Sequence, residues 1–167
     1  MIRCAAALVV LSLAAGGTAL ARPAPISLCR PAETVIFAYS VGARIVSVCA
    51  AEGAVQYRFG RPGGPPELKL PDPAGRPAAV ATGDTLVFAG GGGAWLRFAS
   101  GPYAYTVYSA IGRWGRGGAP AEKAGLLVEK DGARLRRLPC TGPDTGLDSG
   151  WMAAAGVRSG GWVFDLP

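Results

Sequence analysis

The sequence predicts an all-β fold: one antiparallel β-sandwich or barrel of about eight or nine short strands, with a short helix near the C-terminus. Three observations lead there. Runs of β-branched and aromatic residues recur along the chain, with Gly, Pro or Asp-Gly turn signals between them. Strand-like and helix-like segments do not alternate as a parallel α/β sheet requires. Residues 22–167 show neither an internal repeat nor a composition break, a length of about one domain. The core of that domain is expected over residues 29–140, with a tail over 141–167.

The elements follow in order. Glu33 to Tyr39 carries Val35, Phe37 and Tyr39 against Thr34, Ile36 and Ala38, the pattern of a strand buried on both faces. Arg44 to Ala50 is a second β-branched run beyond Gly42, and Val55 to Phe59 alternates Val55, Tyr57 and Phe59 against Gln56 and Arg58. The segment Gly60 to Pro66 is a turn, Glu67 to Leu70 a short strand, and Pro71 to Ala81 a Pro/Ala loop without periodicity. Thr85 to Ala89 and Ala94 to Ala99 flank four glycines, Gly90 to Gly93, which suit a hairpin connection. Those glycines lack the Lys-Ser/Thr and following helix of a phosphate loop. Tyr103 to Ile111 is the longest aromatic strand. Gly125 to Lys130 and Ala133 to Leu138 are joined by Asp131-Gly132, a two-residue hairpin signal. Ser149 to Gly156 reads as the helix, capped by Asp148 or Ser149 and stopped by Gly156.

Residues 1–21 read as a cleaved secretory signal peptide. Arg3 supplies the positive start, Ala5 to Ala15 the apolar run, and Ala19-Leu20-Ala21 the small-x-small cleavage site. A bilayer needs about 20 strongly apolar residues, and this stretch is shorter and rich in Ala and Gly, so a membrane-spanning chain is not expected. The location implied is periplasmic or secreted. Export also removes nucleic acid from the expected partners. The net charge of +6 rests on 14 Arg and 3 Lys against 11 acids. It stays positive after cleavage. The basic residues are scattered; Arg134, Arg136 and Arg137 form the one local concentration, read as a solvated strand face.

Cleavage removes Cys4 and leaves Cys29, Cys49 and Cys140. An odd count in an oxidising compartment allows one internal bridge and one leftover thiol. Cys29 with Cys140 would close a loop of about 110 residues and contribute about 4–5 kcal/mol in the chain-entropy model. Cys49 lies on an apolar strand, where it is either a buried hydrophobe or a partner of Cys29 or of another chain.

The chain holds no histidine. Ser-His-Asp and Cys-His nucleophilic chemistry are thereby excluded, and no familiar zinc spacing exists. No cofactor signature is present. Carboxylate pairs are the remaining catalytic route, with Glu67, Asp84, Glu129 and Asp165 as possible members. No residue is assigned as catalytic. The candidate binding residues are Tyr57, Arg58, Trp95, Arg97 and Tyr105, where arginines stand next to rings on strands. Alternation puts Trp95 and Arg97 on one face, and Leu96 and Phe98 on the other, toward the core.

The ordered words Cys29…Glu33-Thr34-x-x-Phe37, Val46-Ser47-Val48-Cys49, Gln56-Tyr57-Arg58-Phe59-Gly60, Glu67-Leu68-x-Leu70 and Tyr103-x-Tyr105-x-Val107-Tyr108-Ser109, closing on Cys140, carry a resemblance. The chain resembles a family of small exported proteins of Gram-negative bacteria over residues 29–140. In that family a further cysteine stands where this chain has Tyr39. The resemblance implies a Cys29–Cys140 bridge, an unpaired Cys49, export and β architecture, and it supplies no catalytic residue. The functional expectation is a non-enzymatic binding module of the cell envelope, its partner a glycan or a protein. The alternatives are a carboxylate-dependent hydrolase of envelope polymers and an inhibitor of an extracellular hydrolase.

Overall fold

Nine antiparallel strands form two sheets in a computed structural model that describes residues 26–141 and 145–160. The expected signal peptide and Asp165 lie outside the described residues. The first sheet runs in chain order through Thr34–Val41 (β1), Arg44–Ala51 (β2), Ala54–Gly60 (β3) and Leu68–Gly75 (β4). The second runs through Ala81–Phe88 (β5), Gly91–Ser100 (β6), Tyr103–Gly112 (β7), Ala121–Lys130 (β8) and Ala133–Pro139 (β9). Two separate sheets of consecutive hairpins make the fold a sandwich. The helices are short, Pro77–Val80 (α1) between the sheets and Ser149–Ala154 (α2) near the C-terminal end.

Local chemistry accounts for the turns. Asp131 and Gly132 have φ of 50° and 76°, as the expected hairpin requires, and Glu52-Gly53 repeats that geometry between β2 and β3 with 50° and 75°. The carboxylate of Asp148 accepts the Trp151 backbone N–H at 2.9 Å and caps α2, and Gly156 follows it at φ 66°.

Two elements depart from expectation. The segment after Leu70 is not a loop: β4 continues through Pro71 and Pro73, both on cis peptide bonds, to Gly75. Proline is tolerated because β4 is an edge strand and has a neighbour on one side only. The glycine run is likewise more than a turn. Gly91, Gly92 and Gly93 are strand residues of β6 opposite Phe88, Val87 and Leu86. A Cβ on Gly91 would stand 1.9 Å from the Ile111 carbonyl oxygen, and one on Gly93 2.3 Å from that of Ser109. No other residue fits between β5 and β7 there.

The core lies between the sheets. Phe37, Tyr39, Val46, Val48, Val55 and Tyr57 meet Leu96, Phe98, Val107 and Leu126, and Met152 of α2 closes one end. Each such side chain contributes about 1.5–3 kcal/mol through burial. The Tyr57 ring packs 5.9 Å from Phe98 and 5.5 Å from Tyr105. The Tyr39 hydroxyl donates to the Leu138 carbonyl at 3.0 Å, tying β1 to β9 across the sandwich.

The cysteine pairing is a correction. Cys29 bonds to Cys49 at 2.01 Å, their Cα atoms 5.3 Å apart, and Cys140, half-buried, lies outside that bridge. The expected Cys29–Cys140 bridge and unpaired Cys49 do not occur, because the N-terminal segment folds back over the outer face of the first sheet. Cys49 points to that face, as do Ser47 and Arg58: the Ser47 hydroxyl accepts the Leu28 N–H at 2.9 Å, and the Arg58 guanidinium donates to the Leu28 carbonyl at 2.9 Å. Cys140 meanwhile lies beyond β9, its N–H donating to the Ala124 carbonyl at 2.8 Å.

Candidate functional site

The outer face of the second sheet carries the candidate site. Cross-strand register places Thr82 opposite Arg97 and Asp84 opposite Trp95. It continues Trp95 to Tyr108 and Arg97 to Thr106, then Tyr108 to Gly125 and Thr106 to Leu127. Since alternate residues share a face, Thr82, Asp84, Trp95, Arg97, Thr106, Tyr108, Leu127 and Glu129 point the same way. Trp95, Tyr108 and Leu127 are buried there and form a small apolar cluster with Leu86.

The C-terminal segment covers part of this face. Arg158 bridges to Thr82, and its carbonyl accepts the Gly83 N–H at 3.0 Å. The Asp84 carboxylate accepts the Ser159 hydroxyl at 2.8 Å and the Gly160 N–H at 3.0 Å. Gly160 then lies on the Trp95 ring so closely that a Cβ would come within 2.1 Å of it.

Between that segment and the β8–β9 hairpin is a cavity of about 280 Å³, lined by Thr82, Trp95, Arg97, Glu129, Gly132 and Gly160. Its polar floor is an ion pair. Arg97 donates to Glu129 and, at 3.3 Å, to the Thr106 hydroxyl; the side chains are 25% and 9% exposed. At this exposure the pair keeps more of its Coulomb energy than a fully solvated one. Beside it, burial pushes the Tyr108 hydroxyl above its ordinary pKa, an effect opposed by a hydrogen bond with Arg137.

The five residues singled out from sequence separate. Trp95 and Arg97 meet in the cavity, with the expected Leu96 and Phe98 behind them in the core. Tyr57 is wholly enclosed between the sheets, and Tyr105 packs against it from the second sheet. Arg58 is buried under the N-terminal segment. Its guanidinium pairs with both oxygens of Glu33 at 2.6 and 2.7 Å, and its Nε donates to Gln56 at 2.8 Å. That pairing holds the Glu33 carboxyl below its ordinary pKa. The five therefore do not make one surface. Cations do lie over rings, but elsewhere: Lys123 over Trp114 at 5.0 Å, Lys130 over Tyr103 at 5.7 Å and Arg44 over Phe59 at 5.9 Å.

Thr82, Gly132 and Gly160 are the lining residues that sequence reasoning missed. Thr82 was legible in principle, two residues before Asp84 on one strand face. Gly160 carries no local signal. Each carboxylate considered for hydrolysis among the described residues is already engaged: Glu67 pairs with Arg44 at 2.9 Å, Asp84 holds the C-terminal segment, and Glu129 holds Arg97. The cavities at Thr34–Trp151, Gly92–Leu147, Pro71–Arg158 and Thr82–Gly160 each present one carboxylate or none. Cys29, Glu33 and Cys49 bring three potential donor atoms within 4.8 Å, but the two sulfurs are joined to each other and neither is a thiolate. No helix among the described residues is long and apolar enough to cross a membrane.

Fold and site together define a β-sandwich with a small, polar-floored pocket on one outer face. Comparison with protein-family models, with curated proteins and with solved structures finds no match.

Proposed function

We propose that this chain is an exported, non-enzymatic binding module of the cell envelope whose ligand seats on the outer face of the five-stranded sheet. The observation that carries the reading is the cavity lined by Thr82, Gly132 and Gly160, with the Arg97–Glu129 pair at its base. A few convergent polar groups in a concave site are what orient a small ligand or one residue of a polymer. The Cys29–Cys49 bridge supports an oxidising compartment, in keeping with the signal-like first 21 residues and with the resemblance to exported proteins. Among the described residues Glu67, Asp84 and Glu129 are each taken up by another group, which supports binding over carboxylate-dependent hydrolysis.

The test is retention on insoluble cell-wall glycan, or on immobilised periplasmic extract, at physiological salt. Thr82→Trp serves as the blocked variant, since an indole at that position would fill the cavity and leave the ion pair in place. Retention of the unaltered protein and its loss in Thr82→Trp is the expected result. No retention on either matrix, or equal retention of both proteins, overturns the proposal.

A further inference from the structure

We infer that one end of the five-stranded sheet docks on an anionic membrane surface, a contact separate from the cavity on the outer face and using none of its residues. At that end the β5–β6 turn and the β7–β8 connection lie side by side. Among the described residues Val87 is 90% exposed, Ile111 47% and Trp114 37%, and all three stand there. Val87 and Ile111 share the face that carries the core further along the sheet. They occupy one row across Gly92, which has no side chain to fill the space between them. Phe88, the next residue of β5, faces the other way and packs on Trp114 at 5.4 Å. A Cβ on Gly112 would come within 2.7 Å of the Trp114 ring and 2.9 Å of Phe88. The sheet therefore ends in a blade that is apolar on both faces.

Cations rim this blade. The Arg113 side chain lies along the β5–β6 turn, its Cδ 2.9 Å from where a Gly90 Cβ would stand, and Arg116 is exposed in the β7–β8 connection. The Lys123 ammonium sits 5.0 Å from the centre of the Trp114 ring. Among the described residues Glu122, opposite Ile111 on β8, is the acid at this end, so Arg113, Arg116 and Lys123 leave the rim positive. Long basic side chains keep their charge at headgroup level while their stems follow apolar surface. Each such cation strengthens attachment to an anionic leaflet by about fivefold. Tryptophan suits the same boundary, because its ring is apolar and its N–H is polar.

Shape favours a bilayer over a protein. A stable protein partner covers about 800 Å² on each side, and a folded surface reaches only one face of a thin blade. Fluid lipid closes around both. Interfacial docking seats apolar groups about 5–10 Å into the boundary between headgroups and acyl chains, where backbone donors need partners of their own. The β7–β8 connection supplies them internally: the Gly115 N–H donates to the Ala119 carbonyl at 2.9 Å, and the Gly118 N–H to the Gly115 carbonyl at 3.0 Å. Docking of this kind lies on the membrane and needs no crossing helix.

The experiment sediments residues 22–167, the chain left by the expected cleavage and free of the apolar stretch at residues 5–15, with two kinds of vesicle. One is phosphatidylcholine alone, the other phosphatidylcholine mixed with phosphatidylglycerol. Expected is binding to the mixed vesicles, weakened by rising salt, and little binding to phosphatidylcholine. Val87→Ser combined with Ile111→Ser should bind at least about tenfold more weakly, and Arg113→Ser combined with Arg116→Ser about twentyfold. Trp114→Phe keeps an apolar ring and should still bind, while the vesicle-induced blue shift of tryptophan emission should disappear. No sedimentation with the mixed vesicles, or sedimentation unchanged in both pairs of substitutions, overturns the inference. If vesicles do not bind and the Val87→Ser, Ile111→Ser protein instead loses a partner from periplasmic extract, the end is a protein contact and lipid docking is likewise overturned. Thermal melting checks the fold of each variant, and the arginine pair decides if the apolar pair does not fold. Both pairs lie away from the Thr82 cavity and should keep the retention on cell-wall glycan that the unaltered protein shows, so the two readings fail separately.

Discussion

Tyr57 shows how a residue can look like a ligand contact in sequence and serve the core in structure. Its hydroxyl is buried without a hydrogen-bond partner among the described residues, and burial raises its pKa far above the ordinary tyrosine range. A buried polar group left unmatched costs about 1–3 kcal/mol. Tyr57→Phe is therefore expected to raise stability by about 1 kcal/mol in urea denaturation; a clear loss would mean that the hydroxyl is bonded after all. Arg58 is the opposite case, fully matched. Arg58→Ala leaves the part-buried Glu33 with only the Arg30 N–H and takes the guanidinium from the Leu28 carbonyl, and the expected loss is about 3–5 kcal/mol. The same pair sets an acid sensitivity. Because Arg58 holds the folded Glu33 pKa below its ordinary value of 4.5, the pair's stabilisation is complete above that value and drains away as pH falls through the lower, folded one. Denaturation midpoints measured from pH 6 down to pH 3 should fall more steeply in the native protein than in Glu33→Gln.

Among the elements, strands and their facing were legible because they depend on neighbours one and two positions away. Trp95 and Arg97 sharing a face, Leu96 and Phe98 turning inward, and the Asp131-Gly132 hairpin all follow from that short period. The extent of β4 and the place of the glycines were not legible. Each depends on a neighbouring strand: β4 tolerates Pro71 and Pro73 because it is an edge, and Gly91 and Gly93 answer to the closeness of β7. β9 is an edge of the other kind. Leu135 sits at a bulge opposite β8 between Arg134 and Arg136, and this charged, irregular strand resists pairing with another copy. The C-terminal segment depends on contact rather than pattern. Gly160→Val should lift it from Trp95, lowering the melting temperature and exposing the indole to acrylamide quenching; unchanged quenching would count against the close packing.

For the whole molecule, the sandwich is closed on each outer face by a segment from one end of the chain. The N-terminal segment is held by Cys29–Cys49 and Arg58, the C-terminal one by Asp84 and β5. The bridge spans 20 residues and so contributes about 3 kcal/mol in the chain-entropy model. Reduction with dithiothreitol, or Cys49→Ser, is expected to cost about that much, whereas Cys140→Ser should cost less than about 1 kcal/mol. Non-reducing peptide mapping that finds Cys140 in the bridge would falsify the pairing.

Sequence by itself determined the class of fold, the order of its strands, the inward facing of Leu96 and Phe98 and the sharing of the other face by Trp95 and Arg97. These are consequences of a two-residue period and of turn chemistry, both local. Only the tertiary structure decided which cysteines join, that Arg58 and Tyr57 are consumed by the fold, and that Thr82, Glu129 and Gly160 meet at Trp95. Those outcomes bring together groups far apart in the chain, 20 residues for Cys29 with Cys49, 25 for Glu33 with Arg58 and 76 for Asp84 with Gly160. Contacts at such separations are set by how terminal segments fold back over finished sheets, and that path has no period to read.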